Sequence, residues 1–204
     1  MLEIGMALRL KGMAGVEGVA EASGCGADEV TAAFAQMIDA GHASETPRGF
    51  RLMPEGKIWL DGLLDEERAV IDVDAMNGVY ERFCDHNDGF KYLVTDWQIK
   101  EVDGEQQLND HTDDAYDAAI FARLDELDLA VAPVFADAAT IAPRLTRYLE
   151  RFAVALSALH DGDHTMLSAP LKDSYHTVWF EMHEELILLC GRNRADEAAA
   201  GRGA

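Results

Sequence analysis

The chain has 204 residues, of which 49% are hydrophobic and 27% are charged, and its formal net charge at pH 7 is −21. This length allows one large or two small domains, and this composition excludes an intrinsically disordered chain. So negative a surface disfavours non-specific binding to the phosphates of nucleic acids and to anionic membranes.

The N-terminal sequence lacks the basic start, apolar run and cleavage site of a secretory signal. No apolar run approaches the roughly 20 residues that span a bilayer. The three cysteines are far apart and form no CxxC pair, which argues against a disulfide framework and against a zinc site. We therefore expect a cytoplasmic protein with reduced thiols, no membrane association and no bound metal.

The first sixty residues predict three short helices, a hairpin and a fourth helix. Residues 2–10, 16–23 and 28–40 carry apolar side chains at helical spacing, and glycines separate them. Two short extended segments follow around residues 47–49, and Pro54 suits the first turn of the next helix. This order of elements is typical of a winged helix-turn-helix.

The remainder of the chain predicts a helical bundle. Residues 1–60 contain eight acidic and five basic residues, so most of the negative charge belongs to residues 61–204. We predict a mainly α protein with a winged helix-turn-helix domain at 1–65, a helical bundle domain at 66–192 and a flexible tail at 193–204. The elements predicted within the bundle are a helix at 72–90, a mixed segment at 91–99, a polar loop at 101–110, a helix at 113–130, a helix interrupted near Pro143 and a last helix at 172–190.

Several common catalytic and nucleotide-binding motifs are absent from the sequence. The chain has no glycine-rich phosphate loop, no GxSxG and no HExxH, since the HEE that begins at His183 lacks the second histidine. We accordingly assign no catalytic residue, no cofactor and no metal ligand from motifs.

The densest polar cluster is NDHTDDAYD at 109–117. In a structural interpretation, Asp110 or Thr112 caps the following helix, and acidic residues in its first turn favour the helix dipole. In a functional interpretation, His111, Asp114 and Tyr116 face inward and bind a small ligand.

A second cluster lies in the last predicted helix. His176 and His183 fall on one stripe of that helix, beside a broad apolar face that includes Tyr175 and Trp179. The histidines are about 10 Å apart along the axis, too far to share one metal ion. They are either hydrogen-bonded residues at the edge of the core or, with Tyr175, part of a ligand pocket. We predict that Trp179 is buried and that both histidines border the same cavity or groove as residues 111–116.

The helix predicted at 28–40 does not look suited to reading DNA. It contains three acidic residues and no basic residue before Gly41, so Thr31 and Gln36 are its candidates for base contacts. Arg48, Arg51 and Lys57, around the predicted wing, are the candidates for phosphate contacts. This pattern favours binding to protein.

Two resemblances refine these expectations. The N-terminal pattern, with DAG followed by the wing and LMPEGK at 52–57, resembles MarR-type bacterial regulators. The blocks VTDWQ at 94–98, NDHTDDAYD at 109–117, PR at 143–144 and DSYHTVWFEMHE at 173–184 resemble the C-terminal region of short actinobacterial proteins of the pyruvate phosphate dikinase type. The nucleotide-binding, phosphohistidine and phosphoenolpyruvate-binding motifs of dikinases match no position here. The resemblance therefore implies an accessory or regulatory module, not dikinase activity.

Three functions remain open at this point. The first is a non-catalytic module that binds a protein partner or a small ligand, in association with a dikinase-type enzyme. The second is a MarR-like transcriptional regulator, a homodimer whose helical domain binds an effector. The third is a small enzyme that uses His111 and His176.

Overall fold

The computed structural model describes residues 1–102, 104–199 and 201. The chain is mainly helical and folds as two compact units: unit 1 is Met1–Val73, and unit 2 begins at Asp74. Among the described residues, no helix has both the length and the apolar character needed to cross a membrane.

Unit 1 contains four helices and one antiparallel hairpin. Its elements are α1 (Leu2–Lys11), α2 (Val16–Ser23), α3 (Ala27–Asp39), β1 (Ala43–Thr46), β2 (Gly49–Leu52) and α4 (Pro54–Arg68). In the hairpin, Ala43 pairs with Leu52 and Thr46 with Gly49. A single antiparallel bridge joins Ala14, between α1 and α2, to Phe50 of β2.

The hairpin of unit 1 is held closely against the helices. The rings of Phe34 and Phe50 stack with 4.1 Å between their centroids. A Cβ atom at Gly49, where φ is +125°, would lie 2.6 Å from the backbone of Ala14. A Cβ at Gly56 would lie 1.9 Å from the carbonyl oxygen of His42. Only glycine permits both close approaches.

Unit 2 is built on four long helices. Its elements are α5 (Val73–Gln98), β3 (Ile99–Val102), β4 (Glu105–Leu108), α6 (Asp114–Ile141), a 3-10 turn (Pro143–Leu145), α7 (Thr146–His160), a second 3-10 turn (His164–Met166), α8 (Tyr175–Leu189) and α9 (Arg194–Ala199). β3 and β4 pair antiparallel, with Ile99 opposite Leu108.

An aromatic ladder on α5 organises the core of unit 2. Phe83, Phe90 and Trp97 are buried and recur every seven residues, so they lie on one face of the helix. Trp179 of α8 is 1% exposed and packs between the first two, with centroid distances of 4.9 Å to Phe83 and 4.3 Å to Phe90. The prediction that Trp179 is buried is confirmed.

Several predicted boundaries in unit 2 were wrong. α5 continues through the segment predicted as mixed and ends at Gln98, and α6 continues past Pro133 to Ile141. The predicted polar loop at 101–110 contains most of a hairpin, β3 and β4. The cap of α6 is Asp113, whose carboxylate accepts the N–H groups of Ala115 and Tyr116, rather than Asp110 or Thr112.

The segment predicted as a flexible tail also differs from the expectation. Residues 194–199 form α9, and Glu197 on this helix is 5% exposed. Its carboxylate accepts a hydrogen bond from Tyr80 of α5 at 2.7 Å. A buried, paired carboxylate fixes this part of the chain to the bundle.

Candidate functional site

His111 lies at the centre of a polar arrangement in unit 2 that joins the end of α5 to the start of α6. It follows β4 and precedes the cap of α6, and it has φ of 55°, which makes it a non-glycine residue in the left-handed region. Such backbone conformations cost free energy and are concentrated at functional sites. They persist only where neighbouring contacts hold them in place.

A buried carboxylate orients the imidazole. Nδ1 of His111 lies 2.9 Å from Oδ2 of Asp117, whose side chain is 7% exposed. Oδ1 of Asp117 accepts a hydrogen bond from Nδ2 of Asn109 at 2.9 Å. The Nδ2 group also donates to the carbonyl oxygen of Trp97 at 3.1 Å, which uses both of its protons. Nδ1 of His111 therefore carries the proton that it shares with Asp117, since an ionised carboxylate can only accept.

The ring of His111 is also fixed by packing. Its centroid lies 4.0 Å from that of Trp97, the last aromatic residue of the α5 ladder. The backbone N–H of His111 donates to Oδ1 of Asn109 at 3.2 Å, which holds the left-handed turn. Exposed His164 lies near Trp97 as well, with a centroid distance of 6.4 Å. It also contacts Phe121 of α6, with a centroid distance of 4.9 Å.

This arrangement leaves one ring nitrogen of His111 for a ligand. The His111 side chain is 39% exposed, and its Nε2 has no partner among the residues that the structure describes. A histidine whose Nδ1–H is held by a carboxylate presents Nε2 as a fixed acceptor or base. The pair can bind a polar ligand at one well-defined atom.

A pocket in unit 2 includes Tyr116 in its lining, whereas His111 and Asp117 do not line it. It has a volume of about 330 Å³, and its lining comprises Thr95, Asp96, Ile99, Lys100, Glu101, Gln106, Tyr116 and Arg123. The hydroxyl of Tyr116 donates to the carbonyl oxygen of Asp96 at 2.9 Å, and Arg123 pairs with the Asp96 carboxylate at 2.6 Å. Lys100 pairs with Asp110 at 2.5 Å. Asp114 is exposed in the first turn of α6 and does not line this pocket.

Tyr175, His176 and His183, the second predicted cluster, each lie in a different environment. The hydroxyl of buried Tyr175 donates to Asp128 at 2.8 Å. His176 is half-buried against Phe90, and burial lowers its pKa. His183 is completely buried beside Phe83 and Tyr80, and neither of its ring nitrogens has a hydrogen-bond partner among the described residues. Burial, with the charge of Arg194, lowers the pKa of His183 to about 4.

The prediction that both histidines border one cavity with residues 111–116 was wrong. His183 contacts the ring of Phe83, His176 that of Phe90 and His111 that of Trp97. These ladder positions are spaced by about 10 Å along α5, which places His183 and His111 about 20 Å apart along the helix. Neither His176 nor His183 lines the pocket at Tyr116. The apolar face of α8 was identified correctly, but its polar residues do not converge on the 109–117 segment.

A buried network of ion pairs lies between α7 and α8, and sequence reasoning missed it. Glu185, which is 0% exposed, pairs with Arg144 and Arg147 and accepts a hydrogen bond from the hydroxyl of Tyr148 at 3.2 Å. Burial alone would raise the pKa of Glu185, but the two arginines outweigh it and hold the pKa below its usual range. One turn along, Arg151 forms bidentate hydrogen bonds to Asp173 at 2.6 and 2.7 Å.

The sequence contained a signal for this network. Arg144, Arg147 and Arg151 recur at the three- and four-residue spacing of one helical face, as do Glu181 and Glu185. Both sets interrupt faces that are otherwise apolar, which is the pattern of buried, paired charges. The network serves as a structural clamp, because its arginines bind the carboxylates of Glu185 and Asp173.

The candidate residues of unit 1 are all exposed. Thr31 and Gln36 lie on the exposed face of α3, although the Thr31 hydroxyl donates to the carbonyl oxygen of Ala27 at 2.8 Å. Arg48 lies at the turn of the hairpin, and Arg51, on β2, donates to the hydroxyl of Ser44 at 3.3 Å. Lys57 is exposed in the first turn of α4.

Within the described part of the chain, no three histidine, cysteine or acidic residues are grouped in a way that could hold a metal ion. Comparison with protein-family models, with curated proteins and with solved structures finds no match to this chain. The case for a function therefore rests on the geometry of the two units.

Proposed function

We propose that the chain is a non-catalytic regulatory or accessory module whose winged-helix unit binds a protein partner through α3. One observation carries the proposal. The exposed residues of α3 include Asp28, Glu29 and Asp39, together with Thr31 and Gln36, and none of them is basic. A helix that enters the major groove needs donors for phosphates and base edges, and this surface repels the phosphate backbone.

The assignment of unit 1 as a winged helix is supported by its connectivity. Three helices precede an antiparallel hairpin, and a fourth helix follows it, as in winged helix-turn-helix proteins. The bridge between Ala14 and Phe50 adds a third extended segment to the hairpin. In this assignment α3 occupies the position of a recognition helix, and the turn between β1 and β2 is the wing.

The carboxylates of α3 favour a partner with a basic surface. Opposite charges at an interface accelerate association and select the correct partner, whereas like charges disfavour the binding of other proteins. Exposed Ile38 and Ala35 on the same helix supply apolar contact area between the acidic residues. In keeping with the resemblance to dikinase-type proteins, a phosphoenolpyruvate-utilising enzyme is the first partner to test.

The geometry around His111 supports a role for a small ligand in unit 2. Nε2 of His111 and the pocket at Tyr116 each offer polar contacts, but no nucleophile with an activating base accompanies them among the described residues. Binding at this position would make unit 2 a sensor, without requiring the chain to catalyse a reaction.

A MarR-like transcriptional regulator is the second candidate, and the exposed basic residues favour it. Arg48, Arg51 and Lys57 lie on and beside the hairpin, where a wing contacts phosphates. In this function the protein is a homodimer, and an effector bound to unit 2 changes its affinity for DNA.

A selection from random duplex DNA at about 50 mM salt separates the two functions, because electrostatic contacts are strongest at low salt. We expect no enriched sequence and no shift of random DNA. A sequence-dependent shift that is lost in an Arg48→Ala, Arg51→Ala double variant would refute protein binding as the role of unit 1.

Site-specific photocrosslinking tests the α3 surface directly. A photoreactive residue at Gln36 should crosslink to the partner enzyme, whereas the same residue at exposed Glu66 of α4 serves as the matched control. Equal crosslinking at both positions, or at neither with the enzyme in excess, would contradict the proposed role of α3.

A further inference from the structure

The carboxylate of Glu197 is bound by unit 2 in the manner of a ligand. Glu197 is 5% exposed, and one of its carboxylate oxygens accepts the hydroxyl proton of Tyr80 at 2.7 Å. The other oxygen accepts a hydrogen bond from Nη1 of Arg192 at 3.4 Å. Each oxygen thus has its own donor, one neutral and one cationic, which is a two-point recognition of a carboxylate.

The Arg192 guanidinium also has partners outside α9. The Arg192 guanidinium donates to Oδ1 of Asn77 at 3.2 and 2.8 Å and to Glu81 at 2.9 Å, and it lies 4.7 Å from the ring centre of Tyr80. The backbone N–H of Arg192 donates to the carbonyl oxygen of Ile187 at 3.0 Å, which ties Arg192 to the end of α8. Arg192, just after α8, is therefore held by α5 and by the end of α8, beside Tyr80 of α5.

The group that occupies this site is on a short helix with few other anchors. Among the described residues of α9, Glu197 is the one that is buried. Arg194 is half-buried, pairs with Glu184 and lies 4.5 Å from the ring centre of Phe180. A helix of six residues is unstable by itself, so the position of α9 depends on these contacts.

A buried histidine lies beside Tyr80. The centroid of the His183 imidazole is 6.0 Å from that of Tyr80 and 5.0 Å from that of Phe83. His183 is completely buried, and both of its ring nitrogens are without a hydrogen-bond partner in the described part of the chain. A buried polar group of this kind is rare, so this part of unit 2 is not packed for stability alone.

We propose that Tyr80 and Arg192 form a binding site for the carboxylate of a small carboxylic acid. Glu197 occupies this site from within the chain, and the free acid displaces it and releases α9. This site belongs to unit 2 alone and does not depend on the function proposed for unit 1.

Chemical rescue tests the site. Glu197→Ala removes the internal carboxylate, and we expect acetate or benzoate to raise the Tm of this variant saturably, with half-saturation on the order of 10 mM. Benzamide, which has the shape but not the charge of benzoate, and chloride at equal ionic strength are the controls. The same variant with Tyr80→Phe should lose most of the rescue, because one donor is gone.

Displacement is tested in the unmodified protein. Benzoate should increase hydrogen exchange of the backbone amides of residues 194–199, whereas benzamide should leave it unchanged. Rescue that is absent, unsaturable or unaffected by Tyr80→Phe would overturn the binding site. Rescue without faster exchange in the unmodified protein would show that Glu197 is a fixed anchor, and it would overturn the displacement. If Glu197→Ala does not fold, Glu197→Ser, which also leaves the carboxylate position empty, replaces it in the same assay.

Discussion

Trp179 donates its indole N–H to the side-chain oxygen of Asn87 across 2.9 Å, which joins α8 to α5 inside unit 2. Both residues are buried, at 1% and 2% exposure. The indole therefore contributes both apolar packing against the α5 ladder and a satisfied polar contact.

Trp179→Ala should lower the free energy of unfolding by about 3–5 kcal/mol, because it leaves a large cavity among Phe83, Phe90 and Phe152. Trp179→Phe keeps a ring but leaves Asn87 unpaired, and should cost about 1–3 kcal/mol. Urea denaturation of both variants measures the difference. A loss below about 1 kcal/mol for Trp179→Ala would contradict the packing of this indole against the ladder.

His183 should make the stability of unit 2 depend on pH. Its pKa is about 4 in the folded protein, against an ordinary value of 6.5, because burial and Arg194 disfavour the charged form while Glu197 opposes them. The unfolded chain binds this proton below pH 6.5 and the folded chain does not, so stability is lost as the pH falls from 6.5 to about 4. The full loss from this group is about 3 kcal/mol.

The variant His183→Phe isolates that contribution. Phenylalanine suits the space beside Tyr80 and Phe83 and does not titrate. It also removes two nitrogen atoms that have no hydrogen-bond partner among the residues that the structure describes. The difference in unfolding free energy between the variant and the original protein should therefore grow as the pH falls from 7 to 4. Parallel pH profiles in urea denaturation would refute this role of the imidazole.

Removal of Glu185 should leave two arginines without their buried partner. Glu185→Ala is expected to lower the free energy of unfolding by about 3–5 kcal/mol, the cost of uncompensated buried charge. The control is Glu150→Ala on the exposed face of α7, with an expected change within about 0.5 kcal/mol. Thermal and urea unfolding measure both, and similar losses for the two variants would argue against the buried network.

The left-handed backbone at His111 predicts an unusual order of stabilities. His111→Gly and His111→Ala both remove the imidazole, but only glycine adopts a φ of 55° without strain. The glycine variant should be more stable than the alanine variant by about 1 kcal/mol, despite the greater flexibility of glycine in the unfolded chain. The reverse order in urea denaturation would mean that the turn relaxes when the imidazole is absent.

The elements of unit 1 follow from local signals in the sequence. Apolar residues at helical spacing, with glycines between the segments, place α1, α2 and α3 within about one residue of their observed bounds. Pro54 marks the start of α4 correctly. Short helices with strong terminating signals leave few alternatives.

The long helices of unit 2 were harder to delimit. α5 continues past residue 90 because Leu93, Val94 and Trp97 keep its buried face intact, although the local composition is mixed. α6 tolerates exposed Pro133 in its interior because tertiary packing of Val131, Val134 and Phe135 overrides the local cost. The hairpin had a signal in the DG dipeptide at 103–104, which the polar composition obscured.

The candidate site was predicted only in part. His111 was selected from its polar neighbourhood, but its partner Asp117 was not. Asp117 lies on the stripe of α6 that includes buried Ile120 and Leu124, and a carboxylate on a core stripe indicates a buried partner. The contact of His111 with Trp97 joins two elements that are distant in sequence, and no local pattern specifies such a contact.

The division into two units distributes the three tryptophans unevenly. Trp59, stacked on His42 with 4.7 Å between ring centroids, belongs to unit 1, whereas Trp97 and Trp179 belong to unit 2. Units with separate cores need not unfold together, so the fluorescence of the whole chain can mix two transitions into one apparent midpoint. In a Trp59→Phe background, tryptophan emission reports on unit 2 alone, and the stability of unit 2 becomes separately measurable.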